Sequence, residues 1–240
     1  MKLTSAVALM ISVWVFSGCG WGITQAAEPS LGSSFQDWCR KQSSLSAERR
    51  KTVEELLKEA GTSDCELAAK DLSSRTELSL PEAPITDLTP LAGLTNLKEL
   101  YLTLNEITDV TPLSRLTNLE KLFLSQNPIA DVTPLAGLTN LTELDLHGNN
   151  ITDVSPLAGL INLKDLRLNN NEITDVSALA RLTNLWVLYL SYNQITDISP
   201  LARLTNLRLL NLTGNPIAEQ TCPLSARRTV CDFEKEPWVH

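Results

Sequence analysis

Apolar residues follow one skeleton through most of the chain. LTNLKELYLTLNEITDVTPLSR, starting at Leu94, returns in register at Leu116, Leu138, Leu160, Leu182 and Leu204, a fixed period of 22 residues. A worn copy begins at Leu72, so about seven units fill residues 72–218. A period of this length predicts stacked supersecondary units, each too small to enclose its own apolar face and buried only by its neighbours. Within a unit, Glu99-Leu100-Tyr101-Leu102-Thr103 alternates polar with apolar, which predicts a short half-buried strand. One strand per unit makes a parallel sheet, with Leu100 and Leu102 inward and Glu99, Tyr101 and Thr103 on the open face.

Two further periodic features belong to the backbone. Asn105 recurs as Asn127, Asn149, Asn171, Asn193 and Asn215. An amide side chain both donates and accepts, so this ladder is expected to satisfy loop backbone groups where the chain turns inward. Thr111-Pro112, Thr133-Pro134, Ser155-Pro156 and Ser199-Pro200 place a hydroxyl before a proline. That is a helix-start signal, with the hydroxyl as cap and too little chain after it for more than one 3-10 turn. Ser177-Ala178 breaks the pattern and loses only the preset φ of proline.

Outside the array the period vanishes. Residues 28–34 form a small polar linker, and 35–71 carry helix signals. Ser46 caps a run whose Val53, Leu56, Leu57 and Ala60 share a face, Gly61 stops it, and Thr62-Ser63-Asp64 starts a second helix with Leu67 and Ala68. With Trp38 packed beneath, these make an N-terminal cap over the first leucine layer, which an open solenoid end would expose. Residues 219–240 read as a closing loop and a loose polar tail. Residues 1–27 read as an export signal: Lys2, the apolar run Ala6–Phe16, and a small-residue cleavage site near Ala26. The competing reading is a lipobox at Phe16-Ser17-Gly18-Cys19, leaving a lipidated Cys19 as the first mature residue.

Four cysteines remain beyond the signal, two before the array and two after it. Three pairings are open, and the simplest joins Cys39 to Cys65 and Cys222 to Cys231, each stapling one end. An oxidising compartment follows, whether periplasm, cell surface or exterior. Zinc is the alternative, but no CxxC pair or nearby histidine supports it. The net charge of −8 argues against nucleic acid or anionic lipid as main partner. Nothing after the N-terminus is long and apolar enough to span a bilayer, so membrane contact is expected only through a lipid at Cys19. Catalysis has little to stand on: Asp145 and His147 share a face, but no nucleophile, phosphate loop or metal spacing accompanies them, and no cofactor is expected.

The unit LTNLxxLxLxxNxITDVxPLAG resembles the internalin-like class of bacterial leucine-rich repeats, from Leu72 to Ala218. The flanks FQDWC…DC and TCPLSARRTVCDF look like those of exported cyanobacterial leucine-rich repeat proteins. The resemblance implies an α/β, right-handed leucine-rich repeat solenoid: a curved parallel β-sheet, short 3-10 turns on the convex side and a helical N-terminal cap. It also implies protein binding on the concave face. There the middle column of the strands offers Tyr101, Phe123, Asp145, Arg167 and Tyr189, with His147 in the column beyond. Aromatics and arginine anchor interfaces, although Tyr101 and Phe123 could instead cover each other across strands. Asp145 and Arg167 are expected to form an intramolecular ion pair. Tyr189 groups with Tyr192 and Trp186 in a second aromatic patch, while Leu104 and Trp186 are expected to pack on loops. The functional expectation is an exported, monomeric, non-catalytic module that recognises a protein partner. The alternative is an envelope spacer or lipid-anchored surface protein that binds through its ends.

Overall fold

The computed structural model describes residues 29–30, 33–219, 221–224 and 230–233. The expected signal segment with Cys19, and the tail 234–240, lie outside these. Among the described residues no helix is long and apolar enough to cross a membrane.

Three helices open the chain: α1 (Phe35–Arg40), α2 (Ala47–Glu59) and α3 (Cys65–Ser74). The strands follow one per repeat, β1 (Glu77–Ser79), β2 (Glu99–Tyr101), β3 (Lys121–Phe123), β4 (Glu143–Asp145), β5 (Asp165–Arg167), β6 (Val187–Tyr189) and β7 (Leu209–Asn211), and then β8 (Val230–Asp232). They form a single curved, open sheet of eight parallel strands in sequence order. Register is locked to the repeat, so Leu78, Leu100, Leu122, Leu144, Leu166, Leu188 and Leu210 stand side by side. Each is buried, and with the other leucines of its repeat and the Ile-x-x-Val pairs of the central repeats it fills one continuous core.

The convex 3-10 turns form where expected, at Thr89–Leu91, Thr111–Arg115, Thr133–Gly137, Ser155–Gly159, Ser177–Arg181 and Ser199–Arg203. Their caps are not the expected hydroxyls. The threonine or serine is the first residue of the turn, and its N–H donates to the aspartate two residues earlier. Thr111 N–H reaches Asp109 Oδ1 at 2.8 Å, and Thr133, Ser155, Ser177 and Ser199 repeat the bond with Asp131, Asp153, Asp175 and Asp197. A short carboxylate bonding two residues on makes its own turn. The Ser177 turn, lacking proline, therefore keeps the same length as its neighbours.

Asparagines knit successive repeats together. The Oδ1 of Asn127 accepts the Ile107 N–H of the preceding repeat at 3.0 Å, and its Nδ2 donates to Leu102 O and Leu124 O, both at 3.0 Å. Asn105, Asn149, Asn171, Asn193 and Asn215 repeat this geometry. Because each reaches backward, the first repeat needs no asparagine of its own, and Ala83 stands there instead. An outer ladder also forms: the Nδ2 groups of Asn96, Asn118, Asn140, Asn162, Asn184 and Asn206 donate to carbonyls of the previous repeat at 2.8–2.9 Å. The residue before each inner asparagine, and before Ala83 in the first repeat, is left-handed, at Glu82, Leu104, Gln126, Gly148, Asn170, Tyr192 and Gly214. Only two of these are glycine. A non-glycine residue there costs about 1–2 kcal/mol, offset where its N–H extends the ladder, as Gln126 does to His147 O at 2.7 Å.

The cap is tied down at several points. Cys39 of α1 is disulfide-bonded to Cys65, the first residue of α3, and Trp38 is fully buried. On α2, Thr52 donates to Asp87 O and Arg49 pairs with the Asp87 carboxylate, each at 2.7 Å, which docks the helix on the first convex turn. Helix α3 runs to Ser74, past the point where the periodic pattern begins, so buried Leu72 sits on a helix. At the far end the expected closing loop supplies a strand: β8 pairs in parallel with β7, and Cys231, bonded to Cys222, stands beside Leu210 in the leucine column.

Candidate functional site: the concave sheet

Two outward columns line the concave face, and a third lies at its rim. The first column reads Glu77, Glu99, Lys121, Glu143, Asp165, Val187, Leu209, and the second Ser79, Tyr101, Phe123, Asp145, Arg167, Tyr189, Asn211. Most are half-buried, because strands about 4.8 Å apart leave neighbouring side chains in contact. The rim column is more enclosed than expected. Ser125, Ser191 and Thr213 are buried, since the chain turns at the very next residue.

Tyr101 and Phe123 stack face to face, with ring centroids 4.7 Å apart and planes 5° from parallel. Tyr101 is pinned further. Its hydroxyl donates to Glu99 at 2.7 Å, and Glu99 is also paired with Lys121 at 3.1 Å. The Tyr101 hydrogen bond, reinforced by Lys121, holds the Glu99 carboxyl below its usual range and raises the Tyr101 hydroxyl.

Arg167 does not pair with Asp145, although the two stand opposite each other on β5 and β4. Asp145 has folded back to accept the His147 N–H at 2.9 Å. Asp165, two residues before Arg167 on the same strand, offers both oxygens to its Nε and Nη2 at 3.2 and 3.1 Å. A side-on, two-point contact suits the guanidinium fork better than one oxygen already in use. The Asp165 bond raises the Arg167 pKa, and its guanidinium lies 5.8 Å from the Tyr189 ring centroid. The His147 ring sits between Gln126 and Asn169: with the proton on Nδ1, it donates to Asn169 O at 3.1 Å, and Nε2 accepts from Gln126 Nε2 at 2.9 Å. Asp145 thus meets the His147 backbone and leaves its ring alone, so the two are not assembled as an acid–base pair. Among the described residues no cluster of His, Cys, Asp and Glu is gathered to hold a metal.

The models for leucine-rich repeats (2 copies) match residues 96–137, 117–159, 139–181, 161–201 and 183–225. Among solved structures, internalin C2 from Listeria monocytogenes is 38% identical, with a TM-score of 0.57 over 72% of this chain and 86% of its own. The chain is an internalin-like member of the leucine-rich repeat family. A second Listeria monocytogenes internalin is 32% identical, with a TM-score of 0.57 over 70% of this chain, which spans 57% of that protein's length. A leucine-rich repeat protein from Leptospira interrogans is 28% identical, with a TM-score of 0.56 over 63% of this chain and 46% of its own. No curated protein matches the sequence.

In this internalin-like solenoid Tyr101, Phe123, Asp145, Arg167 and Tyr189 share one column and His147 lies just beyond it, but they do not form one cluster. Tyr101 with Phe123, and Arg167 with Tyr189, are separate pairs. Trp186 has cations as its ring partners, as Tyr189 has Arg167. It lies one residue before β6 and is 44% exposed. Leu104 is likewise exposed, at a left-handed position. Sequence reasoning overlooked the cations beside Trp186: Lys164 Nζ and Arg208 Cζ lie 5.4 and 5.0 Å from its ring. The signal was present, because the three residues fall 22 apart.

Proposed function

We propose that this chain is an exported, non-catalytic recognition module that holds a protein partner against its concave sheet. One observation carries the reading. Aromatic and charged side chains occupy the same outward columns on adjacent strands, while the alternating residue on each is a buried leucine. Such a surface is free to diversify without disturbing the core, and aromatics with arginine are the residues from which interfaces draw most of their energy. The leucine-rich repeat fold commonly mediates protein–protein contact. Tyr101 on β2 and Tyr189 on β6 are four strand spacings apart, about 20 Å, a span that suits a protein segment rather than a metabolite. Export is supported by the two disulfides, which persist in oxidising compartments. A non-catalytic role is supported by the His147 ring, whose nitrogens are engaged by the Asn169 carbonyl and the Gln126 amide and not by the Asp145 carboxylate.

The test is to recover the partner with the mature chain and compare variants that remain folded. Tyr101→Ala, Phe123→Ala and Tyr189→Ala should each weaken the complex by more than about 1 kcal/mol, and convex Ala136→Ser should leave it unchanged. Aromatic changes that lower stability yet spare the complex would mean that the rings only brace the sheet and that the partner binds elsewhere, for instance at the solenoid ends. Mass spectrometry of the exported chain's N-terminus checks the remaining part of the reading: cleavage near Ala26 and a lipidated Cys19 each fit export, and an intact Met1 refutes it.

A further inference from the structure

A repeated position shows what the fold alone requires, so exposed departures from the repeat need another cause. On the flank where the chain enters each strand, residues 95, 117, 139, 183 and 205 are threonine, but 161 is isoleucine and is exposed. One repeat later the residue before β6 is the exposed Trp186. Lys164 and Arg208 hold the same position in the repeats on either side. The backbone fixes this register: Trp186 N–H donates to Lys164 O, and Arg208 N–H to Trp186 O, both at 2.8 Å. The two side chains lie over the indole, which makes a cation–aromatic–cation stack across three strands.

Neither Lys164 nor Arg208 has a carboxylate partner among the described residues, whereas Lys98 and Lys121 of the earlier repeats are neutralised by Glu120 and Glu99. Beside the stack, the first concave column changes from charged to apolar, at half-buried Val187 and Leu209. The other half of the sheet has the opposite surplus, since among the described residues Glu143 and Asp145 on β4 have no cation within bonding distance. In a chain of net charge −8, the strands up to β4 therefore carry an acidic surplus, while Lys164, Arg167 and Arg208 lie toward the end of the sheet beside apolar Val187 and Leu209, with Asp165 bonded to Arg167 and Asp232 at the last strand.

We propose that the Lys164–Trp186–Arg208 stack is the anchor for an acidic segment of a protein partner. Its carboxylates would meet Lys164 and Arg208, and an aliphatic or aromatic side chain would lie on Trp186, Val187 and Leu209. The inference rests on the concave-face reading above and adds the chemistry and position of the contact. Charge complementarity selects the occupant: the unpaired cations attract acids, and the acidic surplus on β4 confines them to this end.

Fluorescence anisotropy with short fluorescein-labelled peptides tests it on the mature chain. One peptide mixes Asp and Glu with Leu and Phe, a second replaces the apolar residues by Ser, and a third replaces the acids by Lys. The first should bind at least about tenfold more tightly than either other peptide. Trp186→Ala should lose about tenfold, Trp186→Phe should retain binding, and Lys164→Glu with Arg208→Glu should shift the preference to the basic peptide. Circular dichroism confirms that each variant is folded. Failure of the acidic–apolar peptide to bind, or binding that survives both the alanine and the charge-reversal variants, overturns the anchor. Binding that survives those variants but is lost with Tyr101→Ala overturns it too, while leaving the concave reading standing. A recovered partner indifferent to every concave change removes that reading, whatever the peptides do.

Discussion

Replacing Asn149 with alanine deletes the acceptor of the Ile129 N–H at 3.1 Å and a donor to Leu124 O and Leu146 O at 3.1 and 2.9 Å. The three losses are unequal. Leu124 O keeps the Asn127 amide at 3.0 Å, and Leu146 O keeps the Asn171 amide at 3.0 Å, because each carbonyl within the ladder, away from its two ends, serves two asparagines. The Ile129 N–H keeps nothing, and Ile129 is fully buried. An orphaned buried donor costs about 1–3 kcal/mol, and two half-served carbonyls add a fraction, so the expected loss is about 2–3 kcal/mol. Urea unfolding followed by circular dichroism measures it, with an unchanged denaturant slope to show that the unfolded state is the same. Two controls give the number meaning. Asn215→Ala acts at the end of the ladder, where the asparagine is half-buried but the donor it frees, the Ile195 N–H, belongs to a fully buried residue, and should cost about 1–3 kcal/mol as well. Asn118→Ala removes an exposed bond of the outer ladder and should cost no more than about 0.5 kcal/mol. If Asn149→Ala costs no more than Asn118→Ala, the inner asparagines do not carry the buried backbone and the argument fails.

Acid should loosen the convex side. Asp131 and Asp175 lie below the ordinary value of 3.8 because the hydroxyl and N–H of Thr133 and Ser177 bond to them, and Asp197 does so through the N–H and hydroxyl of Ser199. A depressed folded pKa stabilises above the unfolded value and is lost as pH falls below about 4 through the folded one. Changing all three to Asn keeps an acceptor for the turn and should flatten the stability–pH curve there, and an unaltered curve would rule out this origin. Gly214→Ala puts a Cβ 2.6 Å from the Tyr192 ring at a φ of +73°, so thermal and urea unfolding should report a loss of at least about 1–2 kcal/mol. Non-reduced peptide mapping should recover Cys39 with Cys65 and Cys222 with Cys231, and replacing the first pair by serine should cost about 3 kcal/mol. A Cys39–Cys231 peptide would be incompatible with an extended array, since disulfides need Cα atoms within about 7 Å.

Much of this architecture is legible in one repeat. Whether Leu100 is buried depends on a two-residue alternation, and whether repeats stack depends on a period that never slips, so local pattern is enough to specify strand, sheet and core. Asn149 is also readable, because a lone amide at a fixed place in an apolar unit has little to do except serve the backbone. The caps were less legible. A hydroxyl before proline and an aspartate two residues before the turn are both plausible caps in sequence, and only the backbone trajectory selects Asp109 over Thr111. Choices between side chains depend wholly on tertiary structure. Arg167 has Asp145 across the sheet and Asp165 along its own strand, and the decision turns on His147 having already claimed Asp145. Lys164 and Arg208 are brought to the Trp186 ring only by the stacking of successive repeats. Periodicity encodes burial, which is a property of one position and its repeat. The concave surface is settled by which side chains reach one another across strands, and that requires the folded sheet.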